Sequence, residues 1–117
     1  MKHIIIQDNT FDFAIGIIRL YQFLTDSKKE YVLAKQVLRS GTSIGANVEE
    51  AAGGVSKADF KNKLSISYKE ARETLYWLRL LHATDYLTKR CSTLFSMIVM
   101  KLQGFCIPSY INPNTNY

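Results

Sequence analysis

The run Leu38-Arg39-Ser40-Gly41-Thr42-Ser43-Ile44-Gly45-Ala46-Asn47-Val48-Glu49-Glu50-Ala51 constrains the fold of this chain more than any other stretch. Its apolar residues recur at helical spacing, yet most other positions are small or carry a hydroxyl. A surface helix would place Lys, Gln or Leu there, because Gly costs about 1 kcal/mol against Ala in a helix interior. Two glycines within five residues therefore point to a helix that must approach a neighbouring backbone closely. The run reads as a packing seam.

The punctuation of the chain extends that reading. Only two prolines occur, Pro108 and Pro113, and both fall in the last ten residues. Four helical segments result. The first spans about 11–24, with Asp8, Asn9 and Thr10 offering N-cap oxygens and Phe11, Ala14, Ile17, Ile18, Tyr21 and Leu24 at three- and four-residue steps. Thr25-Asp26-Ser27 turns the chain into a second helix, about 28–52, where Leu33, Val37, Ile44, Val48 and Ala51 keep near-heptad spacing. Gly53-Gly54 ends it in the manner of left-handed cap residues. Ser56-Lys57-Ala58-Asp59 then resembles a capping box, opening a third helix over 57–83 with Phe60, Leu64, Tyr68, Ala71, Leu75 and Leu78 inward. Thr88 caps a fourth, about 89–105, and an irregular tail is expected over 108–117. Short turns between long amphipathic helices make antiparallel neighbours. The expected fold is all-α, an up-down-up-down antiparallel four-helix bundle in a single domain over 1–117.

A chain of 117 residues is long enough to bury a core without metals or disulfides. Cys91 and Cys106, if both on the last helix, are about 22 Å apart, beyond disulfide reach. His3 and His82 are isolated, so no zinc spacing exists. No apolar run approaches the ~18 residues of a membrane span, and Ile4-Ile5-Ile6 is too short for a secretion signal; a cytoplasmic protein without a membrane partner is expected.

The net charge is +5 and unevenly placed. Residues 57–90 hold eight basic side chains against four acidic ones, a surplus of four. On a helical projection with Lys61 at zero, Lys57 falls near −40°, Arg72 near +20° and Arg79 near 0°, beside an apolar seam centred near −70°. That stripe, joined by Lys89 and Arg90, is the candidate nucleic-acid surface. Its alternative role is snorkelling, the long stems covering the apolar boundary.

Two further groups carry structural expectations. Ser43, Asn47 and Glu50 share a flank of the second helix, and with Arg39 or Arg72 and with Glu70 they suggest a polar network that fixes register. Leu75-Tyr76-Trp77-Leu78-Arg79-Leu80-Leu81 carries apolar groups around nearly the whole circumference, and the fourth helix is similar. One subunit cannot cover such helices, so Tyr76, Trp77, Leu80 and Leu81 are expected at a homo-oligomer interface.

Catalytic readings fail on context. Gly41-Thr42-Ser43-Ile44-Gly45 matches the Gly-x-Ser-x-Gly nucleophile pattern, but that chemistry needs a strand before the serine and a delivered histidine. The same glycines lack the Gly-Lys-Ser/Thr ending of a phosphate loop. Glu49, Glu50, Glu70 and Glu73 have no histidine three residues on, so the di-metal bundle motif is missing. No enzyme, cofactor or metal is expected.

The spacing Arg39-x-x-x-Ser43-Ile44-x-x-Asn47-Val48-x-Glu50-Ala51, followed by Ser56-x-x-Asp59-Phe60 and Ser67-x-x-Glu70-x-x-x-x-Leu75, resembles the signature of the four-helix-bundle proteins encoded in 23S rRNA intervening sequences. Lys69-Glu70-Ala71-Arg72-Glu73-Thr74-x-Tyr76-Trp77-Leu78 is similar to a common subgroup, and the likeness covers about residues 10–105. The accessory proteins of diversity-generating retroelements are similar in the same way. The resemblance implies a homopentameric, barrel-like ring that binds RNA or DNA, and in the retroelement branch a protein partner, the reverse transcriptase. It supplies no catalytic residue. The chain departs from the family pattern at Ala52-Gly53-Gly54, where a glycine with basic residues is commoner, and at Lys89-Arg90, where acids often open the last helix.

Overall fold

Four helices follow one another in the computed structural model, which describes residues 2–106: α1 (Lys2–Asp26), α2 (Val32–Ala52), α3 (Lys57–Ala83) and α4 (Lys89–Phe105). The expected tail over 108–117 lies outside the described residues. Each helix packs on its neighbours in the cyclic order α1–α2–α3–α4, and the diagonal pairs make no close backbone approach. The fold is an all-α, antiparallel four-helix bundle. With 27 residues, α3 is about 40 Å long and sets the 44 Å long axis of the molecule.

The core is one continuous apolar layer. Ile17 and Leu24 of α1, Val37 and Ile44 of α2, Leu78 and Leu81 of α3, and Val99 of α4 are its fully buried large members. Two of the helix caps expected from sequence form. Ser56 Oγ accepts the Asp59 amide at 3.0 Å and Thr88 Oγ1 accepts the Cys91 amide at 3.1 Å.

Three boundaries differ from the sequence reading. α1 begins at Lys2, nine residues before the expected start, so Asp8, Asn9 and Thr10 sit inside a helix. Thr10 spends its hydroxyl on the Ile6 carbonyl at 2.9 Å and packs on α2, which is why it caps nothing. At the other end Thr25 bonds back to the Tyr21 carbonyl at 3.0 Å, and α1 runs on to Asp26. The turn therefore shifts to residues 27–31, with Lys29 in the left-handed region at φ 55°. α2 starts at Val32, where the Glu30 carboxylate accepts the Ala34 amide at 3.0 Å. Gly53, expected to be left-handed, has φ −91° instead. The glycine requirement lies at Gly54, where a Cβ would stand 2.9 Å from Asp59 Oδ2 and 3.1 Å from the Ala51 carbonyl.

The small-residue run of α2 is a double seam. Toward α1, a Cβ on Gly41 would fall 2.8 Å from Ile17 Cγ1, and one on Gly45 would fall 3.1 Å from Thr10 Cβ. Toward α3, Ser67 Oγ donates to the Ile44 carbonyl at 2.7 Å, and the Thr74 and Ser40 hydroxyls meet at 2.9 Å. Cys106 Sγ in turn donates to Ser67 at 3.6 Å, so the end of α4 is tied into the same seam.

Candidate nucleic-acid interface

Charge on α3 is sorted by face. The groups that reach α2 are Lys63, Ser67, Glu70, Glu73 and Thr74, and at about 100° per residue they occupy one side of the helix. Lys57, Lys61, Arg72 and Arg79 project from the opposite flank, all exposed. Lys89 and Arg90, in the first turn of α4, are exposed as well. Among the described residues none of these six cations forms an ion pair, whereas Lys63 is bound to Glu50 at 3.1 Å. The acids of α3 are consumed by the bundle or turned away from the basic face. Four unpaired cations along about 33 Å of one helix are spaced to follow a polyanion backbone.

The acids are held by a polar cluster that sequence reading located in part. Arg39 of α2 pairs with Glu73 and, more loosely at 3.7 Å, with Glu70. Glu73 also accepts the Trp77 indole N–H at 3.2 Å. Burial and the neighbouring Glu73 raise the Glu70 carboxyl above its ordinary value, against the lowering pull of Arg39 and Ser43. Arg39 thus lies between Glu70 and Glu73, and Glu73, named in the sequence among the carboxylates rejected as metal ligands, makes the closer pair; its position four residues before Trp77 is the signal for that role. Arg72 makes no contribution to the cluster and stays with the exposed stripe. Asn47 bonds within its own helix, to the Ser43 carbonyl at 2.9 Å, and Glu50 pairs with Lys63. Ser43 donates to the Arg39 carbonyl at 2.6 Å, so the Gly-x-Ser-x-Gly run is helical and its hydroxyl is engaged by backbone.

The expected oligomer surface needs correction. Leu81 is 0% exposed inside the protomer and cannot meet a partner. Leu78 shares that burial, because residues three apart on α3 both face the core. Leu80 and Trp77 are half-buried; Tyr76 is exposed and packs edge-on against Trp77 with centroids 5.1 Å apart. The uncovered apolar surface lies on α4, as its sequence suggests, and on α1 rather than α3. Among the described residues, nine of the thirteen exposed large hydrophobic ones belong to α1 and α4, among them Phe11, Ile15 and Ile18 on α1 and Leu94, Ile98 and Phe105 on α4.

Among the described residues no three His, Cys, Asp or Glu side chains are grouped to hold a metal, and no helix is long and apolar enough to cross a membrane. Both cysteines are free, and burial pushes both thiols up.

Comparison with known proteins agrees with this architecture. The model of the 23S rRNA-intervening sequence protein family matches residues 2–103. The chain belongs to that family. A crystal structure of a protein of unknown function from the S23 ribosomal protein family, from Bacteroides thetaiotaomicron VPI-5482, is similar at a TM-score of 0.89 and 45% identity. That match covers 91% of this chain and 95% of the other. Among curated proteins none matches. Neither the family description nor the structural relative carries an activity, so the family membership fixes the fold and leaves the chemistry to the residues.

Proposed function

We propose that this family member is a cytoplasmic, non-enzymatic homo-oligomer that binds RNA or DNA without sequence preference through repeated basic residues. The sorting of charge on α3 carries this reading: Lys57, Lys61, Arg72 and Arg79 share one exposed flank while Glu70 and Glu73 are tied to Arg39. Contacts to phosphate need only such point charges, and they act independently of base sequence. The outward stripes of α1 (Phe11, Ile15, Ile18) and α4 (Leu94, Ile98, Phe105) support assembly, since monomers rarely expose patches beyond a few hundred Å². A ring of copies, five by the family resemblance, would repeat the stripe and multiply weak contacts.

Titration of a labelled oligonucleotide across a salt series tests this. Affinity should fall steeply with salt, and Lys61→Ala with Arg72→Ala should weaken binding uniformly and flatten the slope by about one unit per lost contact. Binding that is absent at low salt, or indifferent to salt, overturns the reading. The same apolar surface favours one second reading, a scaffold for a partner protein such as a reverse transcriptase. A monomer by light scattering that retains a stoichiometric protein partner after nuclease treatment would select it.

A further inference from the structure

We infer that the groove between α1 and α4, where it meets the α3–α4 turn, takes the unpaired bases of single-stranded nucleic acid; the inference rests on the nucleic-acid reading above. The groove is an open cleft of about 840 Å³, within the ~300–1,000 Å³ range of ligand sites. Its lining is predominantly apolar and includes three aromatic rings from separate parts of the chain, Phe23, Tyr86 and Phe95. Around them stand three exposed cations, Arg19, Lys28 and Lys89, against a single acid, Asp85. Aromatic faces within a cationic rim are the two components that sequence-tolerant single-strand binding needs: rings for the bases and charges for the phosphates. A duplex offers only phosphates to such a groove, because its bases are stacked on one another. A purely apolar partner would leave three cations facing its surface without compensation.

Geometry within the groove fits the assignment. Phe23 is 43% exposed, and the Lys28 ammonium lies 5.8 Å from its ring centroid. A base stacking on that face displaces the ammonium to the phosphate beside it. Phe95 is fixed from behind by Phe13, edge-on at 6.1 Å, and His82 Nδ1–H donates to the Leu87 carbonyl at 3.1 Å, which braces the turn carrying Tyr86. Lys89 also belongs to the basic set of the proposed interface. A strand leaving the groove therefore continues among cations already assigned to phosphate.

The experiment compares a labelled oligothymidylate with an abasic strand of equal length and charge, and with a duplex, on the full chain at one salt concentration. The oligothymidylate should bind about tenfold or more tightly than the abasic strand. Phe23→Ala should bring the two together, while Lys61→Ala with Arg72→Ala should weaken both alike. Circular dichroism confirms folding of the Phe23 variant. Photocrosslinking of a thiothymidine strand to the unaltered protein gives a readout independent of variants, with adducts expected on the peptides holding Phe23 or Tyr86. Equal affinity for the oligothymidylate and abasic strands, adducts only on α3, or displacement of neither strand's bases but occupation of the groove by an acidic amphipathic peptide removes the groove and leaves the basic stripe standing. No binding of any strand removes both.

Discussion

The α2–α3 and α1–α4 seams close the same bundle by different means. Between α2 and α3 the contacts are small: Ser40, Ser67, Ala71 and Thr74 are fully buried, and hydroxyls cross the gap to a carbonyl or to each other. Between α1 and α4 the contacts are large rings and branched chains with glycine opposite, and a groove stays open along them through Gly16 and Phe95. A buried hydrogen bond has one good geometry, so the first seam fixes the helices in register. Bulky apolar groups at the second seam are only partly covered, and half-buried Phe95 stands where a small residue would have let the helices meet. Stability is concentrated in the seam that satisfies itself, and binding capacity in the seam that does not.

The small-residue run that makes the α2–α3 seam also brings α2 close to α1, and thickening it there has the largest expected effect. A Cβ at Gly41 would lie 2.8 Å and 2.9 Å from the Cγ1 and Cγ2 atoms of Ile17, a fully buried residue. Because a β-branched side chain is stiff at χ1, Ile17 has no cheap way to move. Gly41→Val is expected to destabilise the fold by about 3 kcal/mol, at the upper end of ordinary overpacking. Urea unfolding measures it; a loss under about 1 kcal/mol would mean that α1 and α2 separate freely, and the run would be tight toward α3 alone.

That glycine was legible in the sequence as a place of close approach, and so were the capped starts of α3 and α4 and the meeting of Arg39 with Glu70. Local composition encodes such features directly. The start of α1 was not legible, because Asp8-Asn9-Thr10 has the chemistry of a cap and only the tertiary seat of Thr10 against Gly45 shows that it is not one. The exposed apolar surface expected on α4 is there, but the surplus expected on α3 is instead on α1, for a related reason. Periodicity states which residues of Leu75–Leu81 are apolar but not how wide the cover over them is, and Leu78 and Leu81 are covered completely within the protomer. Phe11, Ile15 and Ile18 obey the same helical spacing as the core residues of α1, so the outward stripe resembles the inward one. The groove was invisible, since Phe23, Tyr86 and Phe95 come from three segments and meet only in the fold.

The open seam offers the complementary test. Gly16 is also a mid-helix glycine, but a Cβ there would meet the Phe95 ring at 3.6 Å, an ordinary contact. Gly16→Ala should therefore stabilise the protein by up to about 1 kcal/mol, through helix propensity alone. The same melts that register the Gly41 loss would register this gain. If Gly16→Ala destabilises instead, α1 and α4 lie closer in solution, and the groove that the aromatic lining depends on is narrower.

The smallest effect distinguishes how the tight seam handles charge at its edge. Glu70 sits beside Glu73, and burial and that neighbour raise its carboxyl above the ordinary value while Arg39 lowers it. The folded state then binds the proton more tightly than the unfolded chain does. Its stabilising contribution is complete below the ordinary carboxylate value of 4.5 and is lost as pH rises through the raised one. Glu70→Gln keeps the shape and cannot ionise. Its melting temperature should match the parent in acid and exceed it by a widening margin as pH climbs from about 4.5 toward neutrality. Arg39 is too exposed, and at 3.7 Å too distant, for its pairing with Glu70 to reverse that sign. A margin that narrows or inverts with pH would show the opposite: that Arg39 holds both carboxylates as a working ion cluster, and that the edge of the α2–α3 seam is stabilised by charge as its interior is by hydroxyls.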